Sequence, residues 1–226
     1  MIERLKKLPK KLSATGAESG PIAICAPGPS LRETWEAASA FPVVMAVKSA
    51  HDFLIEKGVT PNFAVTKDDL PRVIGRSFRL APHAGVSYVA GGREGAKSLG
   101  AIKPKFLDIH HNDLQKMGVR DPYMYKILRT RGSGGFALMC AYVMGFRELH
   151  LFGYDNCFKD GLKRANGFVA QTDTVVELSL KGRTFYMNGF LERELRYIRN
   201  FKASMPGVKL IPHGDGVLSH IWKQAG

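Results

Sequence analysis

The sequence lacks most of what would mark a secreted, membrane-spanning or metal-dependent protein. Its three cysteines, Cys25, Cys140 and Cys157, are far apart and carry no paired metal-ligand spacing. Neither a disulfide framework nor a zinc module is expected from them. Cys25 and Cys140 fall in apolar patterns and read as buried thiols, and Cys157 reads as structural. Apolar runs are short, as at Phe41 to Val47 and Val86 to Ala90, against the roughly 20 residues that span a bilayer. No apolar signal-peptide core follows Lys10 and Lys11. HExxH, CxxC and GxSxG are all missing, and no GKS or GKT completes a Walker loop. These gaps argue against zinc hydrolysis, serine hydrolysis and P-loop chemistry. The expectation is a soluble, cytoplasmic protein.

Negative charge is also scarce. Lysine and arginine total 33 against 20 aspartate and glutamate, a net of +13. Such a surplus favours polyanionic partners such as nucleic acid or nucleotides. Hydrophobic residues make up 45% of the 226 and charged residues 23%, the proportions of an ordinary globular chain.

Residues 1–20 are basic, then small and polar, and read as a flexible leader. From Pro21 onward, strand and helix patterns alternate, and residues 21–226 read as one domain. Strands are expected at Ile22 to Ala26, Phe41 to Val47, Asn62 to Thr66, Val86 to Ala90, Lys105 to Ile109, Glu148 to Phe152 and Val208 to Ile211. Helices are expected after Ser30, over 49–57 ending at Gly58, over FALMCAYVMGF ending at Gly145, and over 190–203. Ser30 with Glu33 three residues on has the form of a capping box. Thr174 to Leu180 and Arg183 to Asn188, broken by Lys181-Gly182, predict a hairpin inserted in the sheet, a lid or platform at about 170–190. The fold class is therefore α/β: a Rossmann-like, mostly parallel sheet flanked by helices, with a C-terminal hairpin and helix.

Three features carry chemistry. The first is the turn after strand one, where Gly28, Pro29 and Ser30 open a helix. Backbone amides there can approach a phosphate, although a plain strand-to-helix turn reads the same way. The second is Gly132, Ser133, Gly134 and Gly135 before the apolar helix, flanked by Arg129 and Arg131. It makes a second anion nest, or else a helix start kept small for close packing. The third is carboxylates at strand ends: Asp68 and Asp69 after strand three, and Asp155 after LHLFG. Strand ends in open α/β sheets face the ligand crevice, so Asp155 and Asp68 are candidate catalytic groups. His111, beside His110 at another strand end, is a third candidate acid or base. His51 and His213 read as structural.

The blocks ICAPGPSL, VVMAVKSAHDFLIEKGVTPNFAVTKDD and GSGGFALMCAYVMGFRELHLFGYD resemble the motility-accessory-factor and 6-hydroxymethylpterin-pyrophosphokinase-like family. They are also similar to the small Rossmann-type bacterial sialyltransferases. That resemblance implies a nucleotide site in which Gly28, Pro29 and Ser30 hold phosphate, Lys48 and Ser49 line the donor pocket, Gly132 to Gly135 contact the nucleotide and Asp155 closes the crevice. In the sialyltransferases a histidine in the region after Asp155 is the base. Here no histidine lies between Asp155 and Pro212, and Tyr186, Asp173 or a histidine of another loop would replace it.

The leading expectation is a glycosyltransferase using a nucleotide-sugar donor on an anionic acceptor, nucleic acid among the candidates. Arg129 or Arg131 would then stabilise the departing phosphate. The alternatives are an ATP- and Mg²⁺-dependent pyrophosphokinase acting on a pterin-like alcohol, and a non-catalytic module binding nucleotide or nucleic acid.

Overall fold

Short apolar runs bounded by glycine turns suit strands buried on both faces, the condition of a parallel sheet covered by helices. In a computed structural model the described residues are 20–68, 70–91, 106–108, 132–159, 165, 174–205 and 207–223. In chain order they form β1 (Pro21–Cys25), α1 (Leu31–Ser39), β2 (Val44–Val47), α2 (Ala50–Glu56), β3 (Phe63–Thr66), α3 (Pro71–Ser77), β4 (Ser87–Gly91) and β5 (Phe106–Asp108). There follow α4 (Ser133–Val143), β6 (Glu148–Phe152), β7 (Val176–Leu180), β8 (Arg183–Met187), α5 (Gly189–Ser204), β9 (Lys209–Pro212) and α6 (Val217–Lys223).

Seven strands make one sheet in the order β5-β4-β3-β2-β1-β6-β9, and every pairing is parallel. The chain therefore runs outward from β1 to β5, then returns to lay β6 on β1's other side. The strand order reverses between β1 and β6, where ligands of open α/β sheets bind. Side chains of successive strand residues face opposite ways. Ile22 and Ile24 of β1 accordingly pack with Phe136, Leu138 and Met139 of α4, while Ala23 and Cys25 pack with Leu31 of α1 and Phe53 and Leu54 of α2. Every residue of α4 from Phe136 to Tyr142 is buried, as a helix apolar all round must be.

Three expectations are corrected. The second strand starts at Val44, not Phe41, because the Phe41 amide closes the end of α1 on Ala38 O (3.3 Å) and Pro42 has no amide to give. The capping box does not form: Ser30 is helical (φ −64°, ψ −13°) and makes no side-chain cap, while Glu33 pairs with Lys159 Nζ at 2.7 Å. The hairpin is not inserted in the parallel sheet. β7 and β8 form their own antiparallel pair, with φ of +43° at Lys181 and +80° at Gly182, the signs a type I′ turn demands. The residue 1–20 leader lies outside the described residues, except for Gly20.

Candidate functional site

The crevice is built by two turns that cross where β1 and β6 diverge. Gly28 N–H donates to Gly153 O at 3.0 Å, and Ala26 N–H to Phe152 O at 2.8 Å. Contact this close leaves no room for a side chain on either turn. A Cβ on Gly28 would lie 2.2 Å from Gly153 O and 2.5 Å from Asp155 Oδ2, and one on Gly153 would lie 2.1 Å from Ala26 O. Gly28 is thus required by the meeting of the two turns, whatever it also does for a ligand.

Asp155 is 3% exposed and clamps the start of α1, its Oδ2 accepting the Ser30 amide at 2.8 Å. Burial pushes its carboxyl above the usual range, against the opposing pull of Ser30's hydroxyl and amide. Among the described residues, neither Ser30 Oγ nor Asp155 Oδ1 has a partner in good hydrogen-bond geometry. The loop after β9 covers the pair: a Cβ on Gly214 would lie 2.6 Å from Ser30 Oγ, and one on Gly216 2.4 Å from Asp155 Cα. Val217 N–H donates to Asp155 O at 2.8 Å.

Beside this clamp opens a cavity of about 360 Å³. Its floor comes from the first turn, from Lys48, Lys67 and Asp68 at the ends of β2 and β3, from Gly132–Gly134, and from Gly153 to Cys157. Lys48 Nζ pairs with Asp68 Oδ2 at 2.7 Å. Ser133 Oγ accepts the Lys67 amide at 2.9 Å, fixing the start of α4 against the end of β3. Two non-glycine residues of the floor hold left-handed backbones, Lys48 (φ +53°) and Asn156 (φ +54°). Such conformations persist only where surrounding structure enforces them, and they cluster at binding sites. Asn156 is 4% exposed, and its Oδ1 finds no partner among the described residues.

The remaining wall comes from α5, through Phe190, Leu191 and Glu194. Glu194 accepts the Gly134 amide at the start of α4. A Cβ on Gly134 would lie 2.3 Å from Glu194 Oε1, and one on Gly135 2.6 Å from Tyr197. The Gly-rich start of α4 therefore admits side chains of α5, the packing alternative already raised for these glycines. Burial pushes the Glu194 carboxyl up to about 7, although Lys48 and the Gly134 amide pull the other way. Tyr154, whose hydroxyl donates to Gly134 O at 3.1 Å, is raised well above its ordinary value, first by burial and then by Glu194.

Of the residues expected to form the site, Gly28, Lys48, Asp68, Gly132, Ser133, Gly134 and Asp155 meet at this cavity. Pro29, Ser30, Ser49 and Gly135 are not among the residues lining it. His111, Arg131, Arg129, Asp69 and Asp173 lie outside the described residues. Tyr186 is on β8, half-exposed, and its carbonyl accepts the Phe158 amide. His51 is fully buried between Asp52 Oδ1 and Tyr88 Oη, each at 2.8 Å. His213 stacks on Phe152 at 4.2 Å and meets His150 Nδ1 at 2.9 Å. Neither lines the cavity. Burial raises the Cys157 thiol to about 11, which keeps it protonated.

Glu194 went unnoticed in the sequence, yet a signal was there. It falls on the apolar stripe Leu191, Leu195, Ile198, Phe201 of an otherwise charged helix. A carboxylate at a core-facing position calls for a partner.

Residues 1–161 match the family described as 6-hydroxymethylpterin diphosphokinase MptE-like. No curated protein matches the chain. Among solved structures, the MAf glycosyltransferase from Magnetospirillum magneticum AMB-1 aligns over 93% of this chain with a TM-score of 0.60 and 16% identity. At that identity the likeness is one of fold. This chain spans 37% of that protein's length. The cavity floor lies inside the family match, and the wall formed by Phe190, Leu191 and Glu194 lies outside it.

Proposed function

The chain belongs to the 6-hydroxymethylpterin diphosphokinase MptE-like family, and from that membership we propose that it is a transferase that binds a nucleotide-sugar in the β1/β6 crevice and passes the glycosyl group to an anionic acceptor. One observation carries this reading. The cavity at the switch point combines two lysines, Lys48 and Lys67, with the oxygen-bearing side chains of Asp155 and Asn156. A phosphorylated sugar or nucleoside supplies the complement, negative charge for the lysines and hydroxyl or amine donors for the oxygens.

In this reading the lysines counter the charge that grows on the departing phosphate. The held backbones of Lys48 and Asn156 keep the site's shape before ligand arrives. The basic surplus of +13 favours the anionic acceptor. Salt-dependent association with labelled single-stranded and duplex DNA tests whether that acceptor is nucleic acid.

Diphosphoryl transfer from ATP to a small alcohol is the second reading, favoured by the family's description. It calls for Mg²⁺. Among the described residues no three histidine, cysteine or acidic side chains converge to hold a metal ion. Asp68, at a strand end, is paired with Lys48. Mg²⁺ at a nucleotide site takes one or two carboxylates together with substrate phosphates, and Asp68 and Asp155 of the cavity lining are the carboxylates that would supply them.

A thermal-shift panel of CMP, UDP, GDP, dTDP and ATP, each with and without Mg²⁺, separates the readings. A ligand at 100 times its Kd adds about 2.7 kcal/mol of stability. Stabilisation by one sugar-nucleotide product without metal is expected. Stabilisation by ATP only with Mg²⁺ would favour diphosphoryl transfer. No response to any nucleotide would overturn both.

A further inference from the structure

Among the described residues, Phe190 is the exposed large apolar side chain that lines the cavity; Leu70, Leu80, Val175, Val176 and Tyr186 stand elsewhere. A lone exposed hydrophobe on an open surface needs no explanation. A half-exposed aromatic ring in a concave, charged site is different, because ligand pockets set such rings beside a few polar groups. Phe190 is 45% exposed, whereas Leu191, the next residue of α5, packs against the apolar core. Phe190 belongs to none of the apolar clusters, and no aromatic ring of the described residues stacks on it.

The ring is nonetheless held in place. Asn188 Oδ1 accepts the Leu191 amide at 2.9 Å, and Asn156 Nδ2 donates to Leu191 O at 3.4 Å, tying the start of α5 to the cavity floor. The tip of the ring abuts the turn before α4, since a Cβ on Gly132 would lie 3.2 Å from its Cζ. Gly132 has a φ of +90°, a backbone that favours glycine, so the turn stays bare where the ring meets it.

We propose that Phe190 is a stacking platform on which the planar heterocycle of the ligand lies, while the ligand's phosphate lies among the lysines of the floor. The inference rests on the nucleotide reading for the phosphate, and the platform itself needs only a flat aromatic ring. Aromatic faces attract each other in offset stacks beyond the area they bury. Phenylalanine has no hydrogen-bonding group, so the platform selects flatness and not the identity of the base. A nucleobase and a pterin share that chemistry, and a bare sugar phosphate lacks it. The fixed start of α5 lowers the ordering cost of binding.

The test is calorimetric titration of the whole protein, wild type and F190A, with CMP, UMP, GMP and AMP, with 6-hydroxymethylpterin and with ribose 5-phosphate. F190A is expected to weaken each nucleotide that wild type binds by about 5- to 150-fold, the effect of removing one base-stacking aromatic, and to leave ribose 5-phosphate unchanged. F190W is expected to bind at least as tightly as wild type. F190A matching wild type for every heterocycle would overturn the proposal and leave the nucleotide reading standing. An equal loss for ribose 5-phosphate would also overturn it, because the cavity itself would have changed. A loss confined to the pterin, with no nucleotide bound by wild type, would keep the platform and defeat the nucleotide reading. No binding of any heterocycle would overturn both. Should F190A fail to fold, fluorescence of F190W decides. The added indole must be quenched by the heterocycle and not by ribose 5-phosphate, and emission that stays put overturns the proposal.

Discussion

A methyl group at Gly28 would meet backbone atoms at 2.2 Å, and backbone cannot step aside as a flexible side chain can. Gly28→Ala must push the β1 and β6 turns apart. Overpacking of this kind costs about 1–3 kcal/mol, and more where nothing yields. Gly75 is the control, since it is exposed within α3 and a Cβ there meets nothing within 4 Å. Gly75→Ala should stabilise by about 0.5–1 kcal/mol, the helix cost of glycine. Urea unfolding of the two variants measures both. Equal effects would mean that the turns do not interlock.

Glu194 gives the residue scale its pH dependence. Its carboxyl is raised from 4.5 to about 7 in the folded state. The folded protein therefore holds this proton more tightly than the unfolded chain, and the associated stability is complete below about 4.5. That stability is lost as pH rises to about 7. Asp52 and Glu148 are shifted down and work in the opposite sense at lower pH. For Asp52, burial opposes the shift, and the His51 ring with the Arg79 and Leu80 amides outweighs it. Subtracting E194Q from wild type isolates the Glu194 contribution. Melting temperatures from pH 4.5 to 8 should show wild type losing ground to E194Q up to about 7, then running parallel. Parallel curves throughout would place Glu194 in water.

At the scale of elements, α5 matters most because it carries a wall of the cavity. Its start depends on Asn188, whose side chain accepts the Leu191 amide at 2.9 Å. Losing such a cap costs about 1 kcal/mol. Phe190, Leu191 and Glu194 follow directly, so Asn188→Ala should also weaken whatever ligand the thermal-shift panel identifies. Unchanged ligand affinity alongside the stability loss would mean that α5 supports the site without shaping it. The parallel alternation of strands and helices was legible because doubly buried strands are short apolar runs between glycine turns. Asp155 and Asp68 were legible because strand ends in such sheets face the crevice. The capping box misled because a distant carboxylate, Asp155, takes the Ser30 amide that local chemistry assigns to Glu33. Gly134 and Gly135 were read through their neighbours in sequence, while the atoms that demand them, on Glu194 and Tyr197, lie about 60 residues onward in α5. Strand order and the hairpin's separation from the main sheet have no local signal at all.

Across the whole molecule, the family match ends at residue 161 but the core does not. Phe136, Leu138 and Met139 of α4 share one apolar cluster with Leu195, Ile198 and Phe201 of α5, with Leu210 of β9 and with Val217 and Leu218 of α6. β9 also covers the edge of β6, pairing Glu148 with Lys209 through Leu151 with Pro212. A fragment of residues 1–161 would expose the face of α4 and leave β6 an open edge, which invites association with other chains. Full burial of a single large apolar side chain is worth about 1.5–3 kcal/mol, and whole-domain stability is only about 5–15 kcal/mol. Losing the six partners named on α5, β9 and α6 removes stabilisation as large as that whole margin. The fragment should therefore show no cooperative thermal transition, bind an apolar dye and aggregate, while the full chain unfolds in one step. A cooperative transition in the fragment near the full chain's midpoint would make the C-terminal third an accessory to a core complete without it. The cavity wall formed by α5 would then be a separable part, and Glu194 with it.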